Sequence, residues 1–162
     1  MALPGYLAAA AVPSSRGDQV QPAGVDIRVG AVLRFLGRGR LGVETRSLPR
    51  VEPVEPENGM WRLEKGVYKV VFADPVYVPS SAVGLCFPRS SLLRSGVLMA
   101  CAVWDPGYYG RGEALLEVAN PHGFELEVGA RVAQIVFVPV QGVAGVYRGR
   151  YLGENLGGGP GG

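Results

Sequence analysis

Short runs rich in Val, Ile, Leu, Phe and Tyr recur along the chain, over Asp26 to Phe35, Gly66 to Phe72, Val83 to Phe87, Val97 to Val103, Leu115 to Val118, Phe124 to Val128 and Ala133 to Val140. Gly, Pro and polar clusters separate them. β-branched and aromatic runs bounded by turn residues predict strands, and many short strands without long helical periodicity predict an all-β sandwich or barrel. Only Leu7 to Val12 reads as a short helix, ended by Pro13 and the polar turn Ser14-Ser15-Arg16-Gly17-Asp18. Val67 to Phe72 alternates, as a half-buried strand does, whereas Ala133 to Val138 is nearly continuous and predicts a strand covered on both faces, of the kind found at a subunit contact. Arg46 to Asn58, with Pro49, Pro53 and Pro56 among glutamates, reads as an exposed excursion. Gly153 to Gly162 is mostly glycine and is expected to be mobile without a ligand.

A length of 162 residues with 48% hydrophobic content suits one domain with a real core. Residues 1–18 form an N-terminal extension to it. The net charge of +2 is small and scattered, which argues against a nucleic-acid partner. Nearly all the basic residues are arginine, whose planar fork suits phosphate or carboxylate. Cys86 and Cys101 lie in apolar surroundings at no metal-ligand spacing and read as small core residues in a reducing cytoplasm. Met1 to Val12 carries an Ala run without a basic region and is too short to span a bilayer, so a soluble, cytoplasmic protein with no membrane partner is expected.

Four chemical readings fail on context. Gly37-Arg38-Gly39-Arg40-Leu41-Gly42 has the spacing of a dinucleotide fingerprint, but Val43-Glu44-Thr45-Arg46 and Pro49 follow where a helix N-terminus is needed to hold the pyrophosphate. It reads as a Gly-rich turn between strands. No Walker lysine follows any glycine loop. The single histidine, His122, sits in the hairpin-like Asn120-Pro121-His122-Gly123, so zinc chemistry fails on ligand count, and no nucleophile elbow accompanies a His122-centred triad.

Four short polar segments interrupt the apolar strands with groups that a core would not tolerate unpaired. They are Gln21 to Arg28, Pro88 to Gly96, Val103 to Gly110 and Val128 to Gln134. Together they supply hydroxyls, arginines, an amide and two carboxylates, a set able to hold a triphosphate with Mg²⁺ and still leave one carboxylate for a water. A plainer reading exists for each: an Asp26–Arg89 ion pair, a turn aspartate at Asp105, Ser90 and Ser91 capping a short helical turn, and Gln134 as a strand amide.

From Gln19 to Asn155, the order and content of these segments resemble the motifs of the trimeric dUTPases and their relatives, the dCTP deaminases. Asp26 after Pro22-Ala23-Gly24 is similar to the first motif, Pro88-Arg89-Ser90-Ser91-Leu92-Leu93-Arg94-Ser95-Gly96 to the second, Asp105 with Tyr108 and Gly110 to the third, and Gly129-Ala130-Arg131-Val132-Ala133-Gln134 to the fourth. The resemblance implies a jelly-roll-like distorted barrel of the β-clip type, forming a homotrimer with shared active sites. It further implies that Asp105 activates a water for attack on the α-phosphorus of dUTP, releasing dUMP and pyrophosphate. Tyr108 would pack under the deoxyribose and leave no room for a 2′-hydroxyl. Arg89, Ser90, Ser91, Arg94 and Gln134 would hold phosphates and subunit contacts, and main chain of the hairpin starting at Cys101 would read the base. Mg²⁺ would sit on phosphate oxygens and waters without direct protein ligands, Asp26 being an outer-shell partner. The closing segment, similar to that of archaeal-type members, would place Arg150 on the γ-phosphate and Tyr151 over the pocket.

The deaminase branch places a Glu three residues before an Asn after the third motif, and Glu117 precedes Asn120 by three. Deamination at C4 without zinc needs such a carboxyl beside the base, so a dCTP deaminase or bifunctional enzyme using Glu117 is the alternative. A β-sandwich module that binds nucleotide without turnover is the other class. Against deamination, this chain reads Met99-Ala100-Cys101-Ala102-Val103-Trp104 where deaminases carry a Thr-Ala pair, and two extra residues separate Gly110 from Glu117. Face cannot be read from Leu115, Leu116 and Val118, since a one-residue slip inverts it. Glu154 stands where deaminases often have Gln. Hydrolysis of dUTP is the expected reaction.

Overall fold

The computed structural model describes residues 1–142 and 145–157. A short helix α1 (Gly5–Ala8) runs into a 3₁₀ turn (Ala9–Ala11), and a second 3₁₀ turn (Gly17–Gln19) leads into β1 (Val20–Gln21) and the long β2 (Gly24–Phe35). There follow β3 (Arg40–Leu41), β4 (Arg46–Ser47), β5 (Val51–Pro53), β6 (Met60–Leu63), β7 (Gly66–Phe72), β8 (Val76–Tyr77) and β9 (Ala82–Pro88). After the short helix α2 (Ser90–Arg94) come β10 (Val97–Ala100), β11 (Tyr109–Gly110), β12 (Glu113–Val118), β13 (Phe124–Glu127) and β14 (Arg131–Pro139).

The main sheet runs in the order β10-β12-β7-β2-β14-β9, antiparallel throughout. Its ends nearly meet. Trp104, four residues beyond β10, exchanges two backbone hydrogen bonds with Gly84 of β9, at 2.8 and 3.0 Å, so the sheet curls into a barrel-like shell. β2 makes this possible by serving two halves: its first half pairs with β14 and its second with β7, with register shifts at Val29/Ala31 and at Arg131/Ala133. Such irregularities bend a strand and raise its twist. Phe72, Phe137, Ile27, Leu33, Leu116 and Ile135 fill the interior.

The N-terminal extension is part of this core. Ala8, Ala11 and Val12 are buried, Leu3 N donates to Phe137 O at 2.8 Å, and Gly5 N donates to Pro22 O at 3.1 Å. A Cβ at Gly5 would fall 1.7 Å from Gln21 O, so only glycine fits there. Beneath the extension lies Asp74, fully buried. Arg28 donates to it from its backbone N at 2.8 Å and from Nη2 at 2.5 Å, Ser14 Oγ at 2.8 Å and Gln19 Nε2 at 3.1 Å. Burial alone would raise the Asp74 pKa, but Arg28 and Ser14 hold it below its ordinary value.

The all-β expectation holds, and Gly66 to Phe72 is a strand over those limits. The predicted strand from Val97 stops at Ala100, because the chain there leaves the β10 edge and crosses to β9 at Trp104, with Ala102 and Val103 exposed on the way. β6 was not foreseen. Its signal was the Asn58-Gly59 turn, both residues at positive φ (52° and 78°), followed by alternating Met60-Trp61-Arg62-Leu63 that pairs with β13. Within one chain β14 alternates from buried Ala133, Ile135 and Phe137 to half-buried Gln134, Val136 and Val138, so its continuous apolar run is only half used by its own barrel. The glycine motif at Gly37 to Gly42 leads into the β3–β4 pair with no helix. No helix among the described residues is long and apolar enough to cross a membrane.

Candidate active site

Asp105 sits where the sheet closes. Trp104 is buried in the barrel, its ring 6.0 Å from Phe72, while the next residue turns its carboxylate outward and is exposed. The turn is pinned on both sides: Tyr108 N donates to Asp105 O at 3.0 Å, Gly107 N to Val78 O at 3.0 Å, and Val78 N to Tyr108 O at 2.8 Å. Gly107 has φ +82°, and a Cβ there would stand 2.8 Å from Cβ of Val146, so glycine is needed for both reasons. Beside Asp105 opens a cavity of about 110 Å³ walled by Trp104, Tyr108, Glu113, Tyr147, Tyr151 and Glu154. Tyr108 is its buried floor, meeting Trp104 edge-on at 5.1 Å and Tyr147 at 5.8 Å between ring centroids.

The chain after β14 forms the cavity's cover. Tyr147 N donates to Pro106 O at 2.7 Å and Gly153 N to Tyr109 O at 2.7 Å, while Glu154 O accepts from Arg111 N at 3.1 Å. Tyr108 donates its hydroxyl hydrogen to Glu154 Oε1 at 2.6 Å. Burial, reinforced by that carboxylate, raises the Tyr108 pKa; burial likewise raises that of Glu154 against the lowering effect of the Tyr108 hydrogen bond. Tyr151 lies under the Arg46 guanidinium, whose Cζ is 5.7 Å from the ring centroid. Arg150 is exposed. Residues 153–157, at the start of the segment expected to be mobile, are thus docked at Gly153 to Asn155, and 158–162 lie outside the described residues.

A second cluster is built around Asp26. Its residue pairs with Gln134 across β2 and β14, and the carboxylate is buried. Arg89 Nη1 lies 3.0 Å and Arg131 Nη1 3.6 Å from Asp26 Oδ2. Neither contact is an aligned hydrogen bond, and Oδ2 is without one among the described residues. Burial raises the Asp26 pKa, with Arg89 and then Arg131 pulling it down. Arg89 N donates to Val132 O at 2.9 Å, which sets the start of α2, and Arg94 Nη1 donates to Ser90 Oγ at 2.8 Å. Ser90, Ser91 and Arg94 are exposed and Gln134 is half-buried.

The structure therefore brings Asp105, Tyr108 and Tyr151 to one cavity and Asp26, Arg89 and Gln134 to another place, with Ser90, Ser91 and Arg94 on α2 outside both walls. Glu117 is exposed on the outer face of β12, opposite Leu98 and Val67, while Leu116 and Val118 point inward. Sequence reasoning missed Asp74, Glu113, Tyr147 and Arg46. Glu113 was legible in part, since it starts a strand whose alternate residues are apolar. A cavity of about 550 Å³ lies between Arg62–Lys65 and Pro121–Glu125, around His122; it shares no lining residue with the cavity beside Asp105.

Residues 6–140 match the family model described as dCTP deaminase-like. A probable deoxyuridine 5′-triphosphate nucleotidohydrolase of Aeropyrum pernix is 49% identical over 138 residues, covering 85% of this chain and 87% of the relative. A deoxyuridine 5′-triphosphate nucleotidohydrolase of Methanocaldococcus jannaschii is 42% identical over 141 residues, covering 85% and 89%. In fold, the chain is similar to the 2′-deoxycytidine 5′-triphosphate deaminase of Agrobacterium tumefaciens, with a TM-score of 0.61 at 23% identity over 84% of this chain and 47% of that one. On the family match and these two relatives, the chain belongs to the dCTP deaminase-like family, alongside the archaeal deoxyuridine 5′-triphosphate nucleotidohydrolases.

Proposed function

We propose that the protein hydrolyses dUTP to dUMP and pyrophosphate, with Asp105 as the base that takes a proton from the attacking water. The carrying observation is the exposed Asp105 carboxylate at the mouth of an aromatic-walled cavity, with no cation paired to it among the described residues. A carboxylate held on a pinned turn can orient a water and accept its proton. The water oxygen bonds to the α-phosphorus as the bond to the bridging oxygen breaks, and pyrophosphate leaves with that electron pair. Tyr108 packs under the deoxyribose. The hydrolase names of the archaeal relatives support the substrate.

Two features favour a shared site in a jelly-roll homotrimer. The cavity beside Asp105, about 110 Å³, is well below the roughly 300 Å³ at which ligand pockets begin. The phosphate-type residues Arg89, Ser90, Ser91, Arg94 and Gln134 lie outside its wall, so a neighbouring copy supplies them, while Arg150 and Tyr151 close from the tail. Mg²⁺ fits as an ion carried by the triphosphate oxygens and waters, the way this ion usually accompanies nucleotides. Two guanidiniums face Asp26, which suits an orienting or outer-shell role better than direct ligation. When bound, Mg²⁺ neutralises phosphate charge.

Incubation with Mg²⁺ and dUTP, then dCTP, with product analysis, tests the reading. Formation of dUMP and pyrophosphate from dUTP alone supports it. Ammonia from dCTP would favour deamination through Glu117, and tight binding without turnover a nucleotide-binding module. Asp105→Asn is expected to cut turnover about a thousandfold while nucleotide affinity survives; a near-wild-type rate would remove Asp105 from its role.

A further inference from the structure

The tail does more than cover the cavity. Tyr108 is buried, and a buried phenol hydroxyl needs a hydrogen-bond partner. Its partner is the Glu154 carboxylate at 2.6 Å, 46 residues away in sequence. Glu154 has little freedom to move, because its own carbonyl accepts from Arg111 N and the preceding Gly153 N donates to Tyr109 O. Asn155 adds a reciprocal pair, donating from Nδ2 to Arg111 O at 2.9 Å and accepting from Arg111 Nη1 at 3.0 Å. Gly110 makes the approach possible: a Cβ there would lie 2.8 Å from the Tyr108 hydroxyl and 3.2 Å from both N and O of Glu154.

We infer that Glu154 is a positioning residue for Tyr108, so that docking of the tail locks the ring that rejects a ribose 2′-hydroxyl. This rests on the reading of Tyr108 as the sugar-packing ring. Trp104 and Tyr147 meet that ring edge-on and limit its tilt, but edge contacts leave a ring able to yield by fractions of an ångström. A short hydrogen bond to a carboxylate removes that give, because charge-assisted bonds are stronger and more directional than neutral ones. Rejection of one added oxygen depends on a surface that does not yield, and a hydrophobic wall alone rejects an added hydroxyl poorly. Glu154 thereby couples closure over the cavity to selectivity for the deoxy sugar.

The test uses the full-length protein with Mg²⁺, measuring kcat/KM for dUTP and the inhibition constants of dUDP and UDP against dUTP hydrolysis. Selectivity is the UDP-to-dUDP ratio. Glu154→Leu and Tyr108→Phe are each expected to lower it by about tenfold, the worth of one charge-assisted hydrogen bond. Glu154→Gln, which keeps an acceptor, should fall between them and wild type. The double variant should be no worse than either single one, since both remove the same contact. Unchanged selectivity in Glu154→Leu with slower dUTP turnover would overturn the inference, leaving Glu154 as an anchor or a substrate contact. Additive losses in the double variant would overturn it too. Should Glu154→Leu fail to fold, Glu154→Gln and Tyr108→Phe carry the same comparison, and wild-type selectivity in both sinks the idea. Unchanged selectivity in Tyr108→Ala would instead remove the sugar role of Tyr108 itself.

Discussion

The Arg89 guanidinium stands 3.0 Å from Oδ2 of Asp26, yet that buried oxygen accepts no aligned hydrogen bond among the described residues. The two are held by charge rather than by a directed bond. A carboxyl whose folded-state pKa is raised costs stability when ionised, fully so above its folded pKa, and the cost vanishes below the unfolded value near 3.9. Burial raises Asp26 in this way and Arg89 opposes it. Arg89→Ala is therefore expected to destabilise the fold by about 2 kcal/mol at pH 7, after allowing for solvent screening of the half-buried guanidinium. The loss should shrink below about pH 4 and be largely recovered by adding Asp26→Asn. Urea midpoints at the two pH values measure it.

Asp74 presents the opposite sign. Its folded pKa is lowered by donors from Arg28 and Ser14, so its stabilisation is present above the unfolded carboxylate value and is lost as pH falls through the folded one. Asp74→Ala leaves Arg28 without its partner and should cost on the order of 3 kcal/mol at neutral pH. The gap between wild type and variant should narrow on acidification, in contrast to an apolar core truncation, whose cost stays flat. Denaturant titrations from pH 7 to pH 3 distinguish the two.

Cys86 and Cys101 are free thiols whose sulfurs lie 3.2 Å apart, fifteen positions apart in sequence. Both are half-buried. An oxidised dithiol reagent should link them, the reagent taking up the two hydrogens. A bond closing a loop of that length contributes about 3 kcal/mol in the chain-entropy account, which raises Tm by roughly 5 °C or more. Thermal unfolding with and without oxidant checks this, with Cys86→Ser expected to show no response.

Gly110→Ala should release the tail, because the added methyl collides with the Tyr108 hydroxyl and the Glu154 backbone. Trypsin would then cut faster after Arg148 and Arg150 while the barrel stays folded. Equal cutting rates in variant and wild type, measured by mass spectrometry over time, would show that the tail is held elsewhere.

Much of the barrel could be read from the chain because a strand's signal is local. Val, Ile and Phe runs between glycines mark β7, β9 and β14 directly, and the absence of a helix after Gly37 to Gly42 was legible from Pro49. Residues 1–18 carry no such signal. Their Ala run looks like a weak surface helix, and only the burial of Ala8, Ala11 and Val12 and the backbone bonds from Leu3 and Gly5 to the barrel show that the extension completes the core.

The sequence by itself determined the strands of the main sheet, the four polar segments, and Asp105 on a turn that glycine must form, since each depends on neighbours a few residues apart. Only the tertiary structure decided which groups meet. Closure of the sheet through Gly84 and Trp104 turns Asp105 outward, β12's register puts Glu117 on the outer face, and the tail brings Glu154 onto Tyr108 across 46 residues. These are long-range contacts set by strand register and barrel curvature, and no local pattern in the chain encodes the distance between their ends.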